Sequence, residues 1–198
     1  MATKKQIAEQ ALRIIQGGHI KPDNPADIRE VMLHLDQLRD ARCRLDTLNN
    51  VKGGNYTVSE GYLAIVTGTV AVGLVALPQP PLDLEWGLGL YQVSPSSDLE
   101  EAYAISQPGH NALMKGTAAL ERASKGFCWL IAGNIYFKNV ANAVDVTIWY
   151  VPSSKSIAED ADYPVPPDVE AELLQQLVQM FGVQQQAPHD ELEDGQKQ

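Results

Sequence analysis

The chain has 198 residues, of which 44% are hydrophobic and 20% charged, with a formal net charge of −10. That length fits one domain with a tail, and the composition suffices to bury a core. Residues 1–158 carry 14 Lys and Arg against 15 Asp and Glu, whereas residues 159–198 carry one Lys against ten acids. The body is nearly neutral, and no basic cluster of the kind that tracks nucleic-acid phosphates interrupts it, which argues against sequence-specific DNA binding.

The N-terminal residues lack the apolar run of a secretory signal, and the apolar stretch Val70–Leu77 is too short to span a bilayer. The expectation is a cytosolic product without a membrane segment. Cys43 and Cys128, 85 positions apart in the chain, then read as buried free thiols. The Asn55-Tyr56-Thr57 sequon carries no weight in that setting.

In chain order, Thr3 and Gln6 form a capping box for a first helix. Its apolar stripe is Ile7, Ala8, Ala11, Leu12 and Ile15, and Gly17-Gly18 stops it. Asn24 is the expected cap of a second helix, with Pro25 at its first position. Ile28, Val31, Met32, Leu35, Leu38, Leu45 and Leu48 mark its apolar face, leaving Arg29, Arg39, Arg42 and Arg44 mainly off the stripe. Residues 1–50 thus read as a helical hairpin that must pack on the rest of the chain or on a neighbouring subunit.

Asn49–Asn55 ends that unit, and Val, Ile, Thr and Tyr become frequent. Strands are predicted over Tyr56–Val66, Thr69–Leu77 and Leu88–Val93, with a short one at Tyr103–Ile105. A hairpin over Phe127–Lys138 turns at Gly133-Asn134. In Val144–Val151, Val144, Val146, Ile148 and Tyr150 share one face, and Asp145, Thr147, Trp149 and Val151 share the other. This pattern predicts an antiparallel β-sandwich or barrel over residues 55–152, not βαβ units. A last helix over residues 167–182 opens with Asp168 and Glu170 at its positive end. Ala171, Leu174, Leu177, Val178 and Phe181 form its face, and Gly182 ends it. The fold class is α+β, with residues 1–182 as a single domain and residues 183–198 as an acidic tail or docking arm.

The residues that carry chemistry form no recognisable constellation. His19, His34, His110 and His189 are scattered, outside any HExxH pattern. Gly87-Leu88-Gly89 lacks the remainder of a nucleotide loop and reads as a β-bend. The acidic runs Asp98–Glu101 and Glu159–Asp162, and Asp190, Glu191, Glu193 and Asp194 near the end, lack the EF-hand spacing. Trp86, Trp129 and Trp149 could line a ligand pocket if the strands close into a barrel, but Trp129 and Trp149, on strands, read as core or interface anchors. No catalytic, cofactor-binding or metal-binding residue is assigned, and the chain is expected not to be an enzyme.

The order of parts carries a resemblance. A short helix ends in Gly17-Gly18, and a long helix contains Ile28-Arg29-Glu30-Val31-Met32-Leu33-His34-Leu35. A β-rich body follows, with a Leu77-Pro78 step and Ile131-Ala132-Gly133-Asn134-Ile135-Tyr136-Phe137. Asp162-Tyr163-Pro164-Val165-Pro166 precedes the last helix, and Ala187-Pro188-His189-Asp190 follows it. This pattern resembles the ring, or head-to-tail connector, proteins of tailed bacteriophages, in particular crAss-like and related short-tailed phages. The resemblance implies a virion structural protein made in the host cytoplasm, forming a homo-oligomeric ring of twelve copies in the neck. Its partners would be the portal protein, the tail or ring proteins, and genomic DNA passing non-specifically through the channel, with no cofactor. A tail-tube or tail-completion protein is the nearest alternative. From another class, a small-ligand-binding β-barrel or a hydrolase using His110 or His189 stays open.

Overall fold

The structure, a computed structural model, describes residues 2–17, 27–106 and 126–186. His19, Asn24, Pro25, His110, His189 and the acids at 190–194 lie outside the described residues. The chain is α+β, with three α-helices and two sheets among the described residues.

Helix α1 (Lys4–Ile15) begins where the capping box predicts, with the Thr3 side chain accepting from the Gln6 N–H and Gln6 returning a bond to the Thr3 N–H. Ile7, Ala8, Ala11 and Leu12 are buried, as their spacing requires. Helix α2 (Ile28–Lys52) is capped by Asp27, not Asn24: the Asp27 carboxylate accepts from the Arg29 N–H. Its buried face also departs from the expected stripe. Val31, Leu35, Arg39, Cys43 and Thr47, spaced by four, turn inward while Leu45 is exposed. Arg39 therefore belongs to the interior, contrary to the reading that placed it off the stripe.

Helix α3 (Pro167–Gln186) runs past Gly182, since one helical glycine costs only about 1 kcal/mol and glutamine favours the helix. Its buried row is Val169, Leu173, Leu177 and Phe181, whereas Ala171 is exposed. Arg42 of α2 meets Glu172, and His34 meets Phe181, so the two helices run antiparallel.

The strands are β1 (Ala64–Thr69), β2 (Leu74–Ala76), β3 (Leu90–Pro95), β4 (Ala104–Ile105), β5 (Phe127–Ile131), β6 (Asn134–Lys138) and β7 (Asp145–Tyr150). One sheet has the order β1-β7-β3 and the other β2-β6-β5-β4. The predicted break near Thr67-Gly68 is absent, and β1 runs straight through it. Gly68 is required there because a Cβ at this position would lie 2.6 Å from Val75 Cγ1 in the facing sheet. The chain reverses instead at Val72-Gly73, both with positive φ (51° and 72°), as a two-residue hairpin turn demands. The second hairpin likewise turns at Ala132-Gly133 (φ 50° and 80°), one residue before the expected turn.

One pairing departs from the all-antiparallel expectation. Strand β4 lies parallel to β5, Ala104 opposite Phe127 and Ile105 opposite Cys128. A parallel pair needs a long connection, and residues 106–126 supply one. Among the described residues the two sheets are not closed into a barrel. Their inner faces share one cluster of Val70, Val75, Val93, Cys128, Ile135, Val146 and Ile148. In β7 Val146, Ile148 and Tyr150 are buried as predicted, but Thr147 and Val151 of the opposite set are buried too, because this central strand is covered on both faces.

A second cluster joins the three helices to Tyr62, Leu82, Leu84, Val151, Ile157, Tyr163 and Val165. No helix among the described residues is long and apolar enough to cross a membrane. Cys43 and Cys128 are free and fully buried, one in each cluster. Burial pushes their thiols up to about 11 and about 12 respectively. Since the thiolate is the reactive form, both are expected to resist a thiol reagent at pH 8 in the native protein. Both should react on unfolding in urea, which a colorimetric thiol titration checks.

Candidate functional site

Among the described residues the densest polar assembly lies where α1, α2, the turn before β1 and the segment after β7 converge. Arg39 is at its centre, 0% exposed. All five of its N–H donors are engaged. Nε donates to Pro164 O (3.3 Å), Nη1 to Pro152 O (2.8 Å) and Asp40 Oδ1 (3.0 Å), and Nη2 to Tyr62 O (3.3 Å) and Pro164 O (3.1 Å). The guanidinium also lies over the Tyr62 and Tyr163 rings, 5.4 and 5.9 Å from their centroids.

One turn earlier on α2, Asp36 is buried against Lys4 of α1. Lys4 Nζ lies 2.9 Å from Asp36 Oδ2 and donates a further bond to Ser154 O (3.2 Å). The Tyr163 hydroxyl donates to Asp36 Oδ1 (3.0 Å). Asp40 accepts from both Ser154 Oγ (2.6 Å) and the Ser154 N–H (3.3 Å). Tyr62 donates to Asp46, which also pairs with Arg42. Every charged group near the centre is thus matched, as burial demands.

Chemically this cluster is sealed, and it works as an anchor. Burial raises the Tyr163 hydroxyl, as does the adjacent Asp36 charge, while burial and the bond to Asp46 raise Tyr62. Both therefore stay protonated as donors. The accessible chemistry lies beside the cluster, in two adjoining open grooves of about 470 and 460 Å³ between α2 and the segment at 80–85. Arg44 and Asp83 line both grooves, Leu45 and Glu85 the first, and Gln37 and Lys155 the second. Their charges are mixed, and among the described residues no group of three or more His, Cys, Asp or Glu side chains could hold a metal ion.

The residues singled out in the sequence do not converge here. His34 is half-buried, edge-on to Phe181 at 5.5 Å. Gly87 is the last residue of a 3₁₀ turn (Glu85–Gly87) and Gly89 lies between that turn and β3, in keeping with a bend. Asp98 caps its own loop by accepting from the Glu100 N–H, and the run Glu159–Asp162 lies in a turn that the N-terminus bridges at Thr3 and Asp162. Trp129 stacks on Tyr136 across two strands, 6.0 Å between centroids, and Trp149 stands on the face of the other sheet beside Ile65. The side chains that sequence reasoning passed over are Lys4, Asp36, Arg39, Tyr62 and Tyr163.

No protein-family model matches the chain, nor does any curated protein.

Removing the guanidinium would leave three buried carbonyls without a donor. Arg39→Ala is expected to lower stability by about 3–5 kcal/mol, and Arg39→Met to destabilise as well, measured by urea unfolding. Asp36 generates a pH prediction. Burial raises its carboxyl above 3.8, outweighing the opposing effects of Lys4 and Tyr163. A carboxyl whose pKa is higher folded than unfolded contributes most stability below its unfolded value and loses it as pH rises through the folded one. The stability difference between the parent and Asp36→Asn should therefore shrink from acid toward neutral pH, in urea titrations at stepped pH.

Proposed function

We propose that this chain is a non-enzymatic structural subunit of a virion, one copy of an adaptor ring between portal and tail that surrounds the DNA exit channel. In this reading α1 and α2 form a helical hairpin, the two sheets form a sandwich body, and residues 183–198 serve as an acidic docking arm. The observation that carries the reading is that each layer offers its own exposed apolar side chains. Ile14, Leu33 and Leu45 lie on the helices, whereas Ile65, Ile105 and Ile131 lie on the sheets. A head-to-tail contact needs two different surfaces on one subunit, and a ring closes when the rotation between copies closes. Near-neutrality of residues 1–158 lets copies approach without strong repulsion. The buried Arg39 cluster supports the same reading by tying the helices to the segment that leaves the sheet.

Acids gathered in the last forty residues favour a lining or arm that does not hold DNA phosphates. The full chain is expected to form closed rings with a central channel, seen by native mass spectrometry and electron microscopy. A chain that stays monomeric at every concentration tested, or that forms only open filaments, would overturn the reading.

A further inference from the structure

The three-stranded sheet has two edges, and they are built differently. On β3, three common protections against strand pairing are present: a bulge, a proline and a covering loop. A bulge interrupts its register between Leu90 and Gln92, and Pro95 has no N–H to offer. Val93 O already accepts from the Tyr103 N–H (2.8 Å), and the Gln92 side chain reaches over to Leu99 O (3.0 Å). On β1, none of these devices is found. Ala64-Ile65-Val66-Thr67-Gly68-Thr69 contains no charge and no proline, and its register against β7 is unbroken.

Strand β1 has β7 as its single strand neighbour among the described residues. The Val70 N–H donates to Val144 O, which sets the alternation of the antiparallel ladder. Ala64, Val66 and Gly68 face β7, and the N–H and C=O groups of Ile65, Thr67 and Thr69 point to the open edge. The side chains of these three residues are exposed as well, Ile65 at 63%. Three outward peptide groups in a row are a template for another strand.

We propose that the occupant is a second copy of this chain, which pairs its own β1 antiparallel to this edge about a two-fold axis at Thr67. The partner strand follows by elimination from the other described edges. Strand β2 has three residues, and Leu74 is already bonded to Ala71 in both directions. Strand β4 has two residues, and β3 is guarded. The unguarded edge of a second copy is therefore also β1. Pairing centred on Thr67 sets Thr67 opposite Thr67 and Ile65 opposite Thr69, with no charge facing a like charge. The result is one six-stranded sheet running β3-β7-β1 into β1-β7-β3 of the second copy. This contact is two-fold, so it is distinct from the head-to-tail contact of a ring and does not depend on one.

The test uses the full chain carrying T67C, with V72C at the 90% exposed turn tip as control. The native cysteines are fully buried, so the introduced thiol is the reactive one. Directly opposed residues that exchange both bonds in an antiparallel ladder have Cα atoms about 5.5 Å apart, within disulfide range. T67C is expected to form a disulfide-linked dimer under mild oxidant several-fold faster than V72C. T67K, which opposes two charges at the centre, should abolish the reversible two-fold association in sedimentation while leaving the thermal midpoint of the dilute monomer unchanged. Equal crosslinking of T67C and V72C, or a dimer that survives T67K undiminished, would overturn the proposal. So would amides of Ile65, Thr67 and Thr69 that stay protected from hydrogen exchange in a dilute monomer, since a segment of the same chain would then hold the edge.

Discussion

Arg39 must satisfy five donors in a place that water does not reach. It meets that demand with three backbone carbonyls and one carboxylate, drawn from parts of the chain up to 125 residues away. Desolvating a guanidinium is costly, and the cost falls only when every donor finds an acceptor in good geometry. The backbone at Tyr62, Pro152 and Pro164 is therefore held where the fork of the arginine needs it. The approach to β1, the exit from β7 and the approach to α3 are fixed by one side chain on α2. Lys4 extends the arrangement to α1 through Asp36 and Ser154.

This explains why the helical layer is not merely an apolar pad laid on the sheets. The hydrophobic cluster of the helices contains Tyr62, itself an acceptor of Arg39, and Val151, Tyr163 and Val165, which flank the other two carbonyl acceptors in sequence. Apolar burial supplies most of the free energy but no direction. The hydrogen bonds supply the direction, since an arginine displaced along α2 would lose its carbonyls together.

Much of the fold was legible from local rules. The Thr3–Gln6 box starts α1, the four-residue hydrophobic spacing marks its face, and the alternation in β7 sets its inner side. What failed did so for identifiable reasons. The turn at Val72-Gly73 was read as the interior of a strand, and the later hairpin turn was set one residue late, because Val72 and Ala132 adopt positive φ, which neither residue type favours. The parallel pairing of β4 depends on a long connection that carries no local signature. Arg39 was left off the apolar stripe because arginine is usually exposed, and all but one of its acceptors are peptide carbonyls, which every residue possesses. Leu45 and Leu48 meanwhile offered a more hydrophobic, and misleading, face. The sole hint lay in the spacing of Val31, Leu35, Cys43 and Thr47, which encloses position 39.

Tyr150 and Val151 are neighbours in sequence, yet each is buried in a different hydrophobic cluster. The step between them is also tethered from the side. Val151 donates to Gly89 O (2.9 Å), its own carbonyl accepts from the Leu82 N–H (2.7 Å), and the Ser153 N–H donates to Pro80 O (3.0 Å). Mechanically this is a stiff coupling with almost no slack. A displacement of the central strand reaches the helices within one peptide unit, so the two layers tilt together and do not slide past each other.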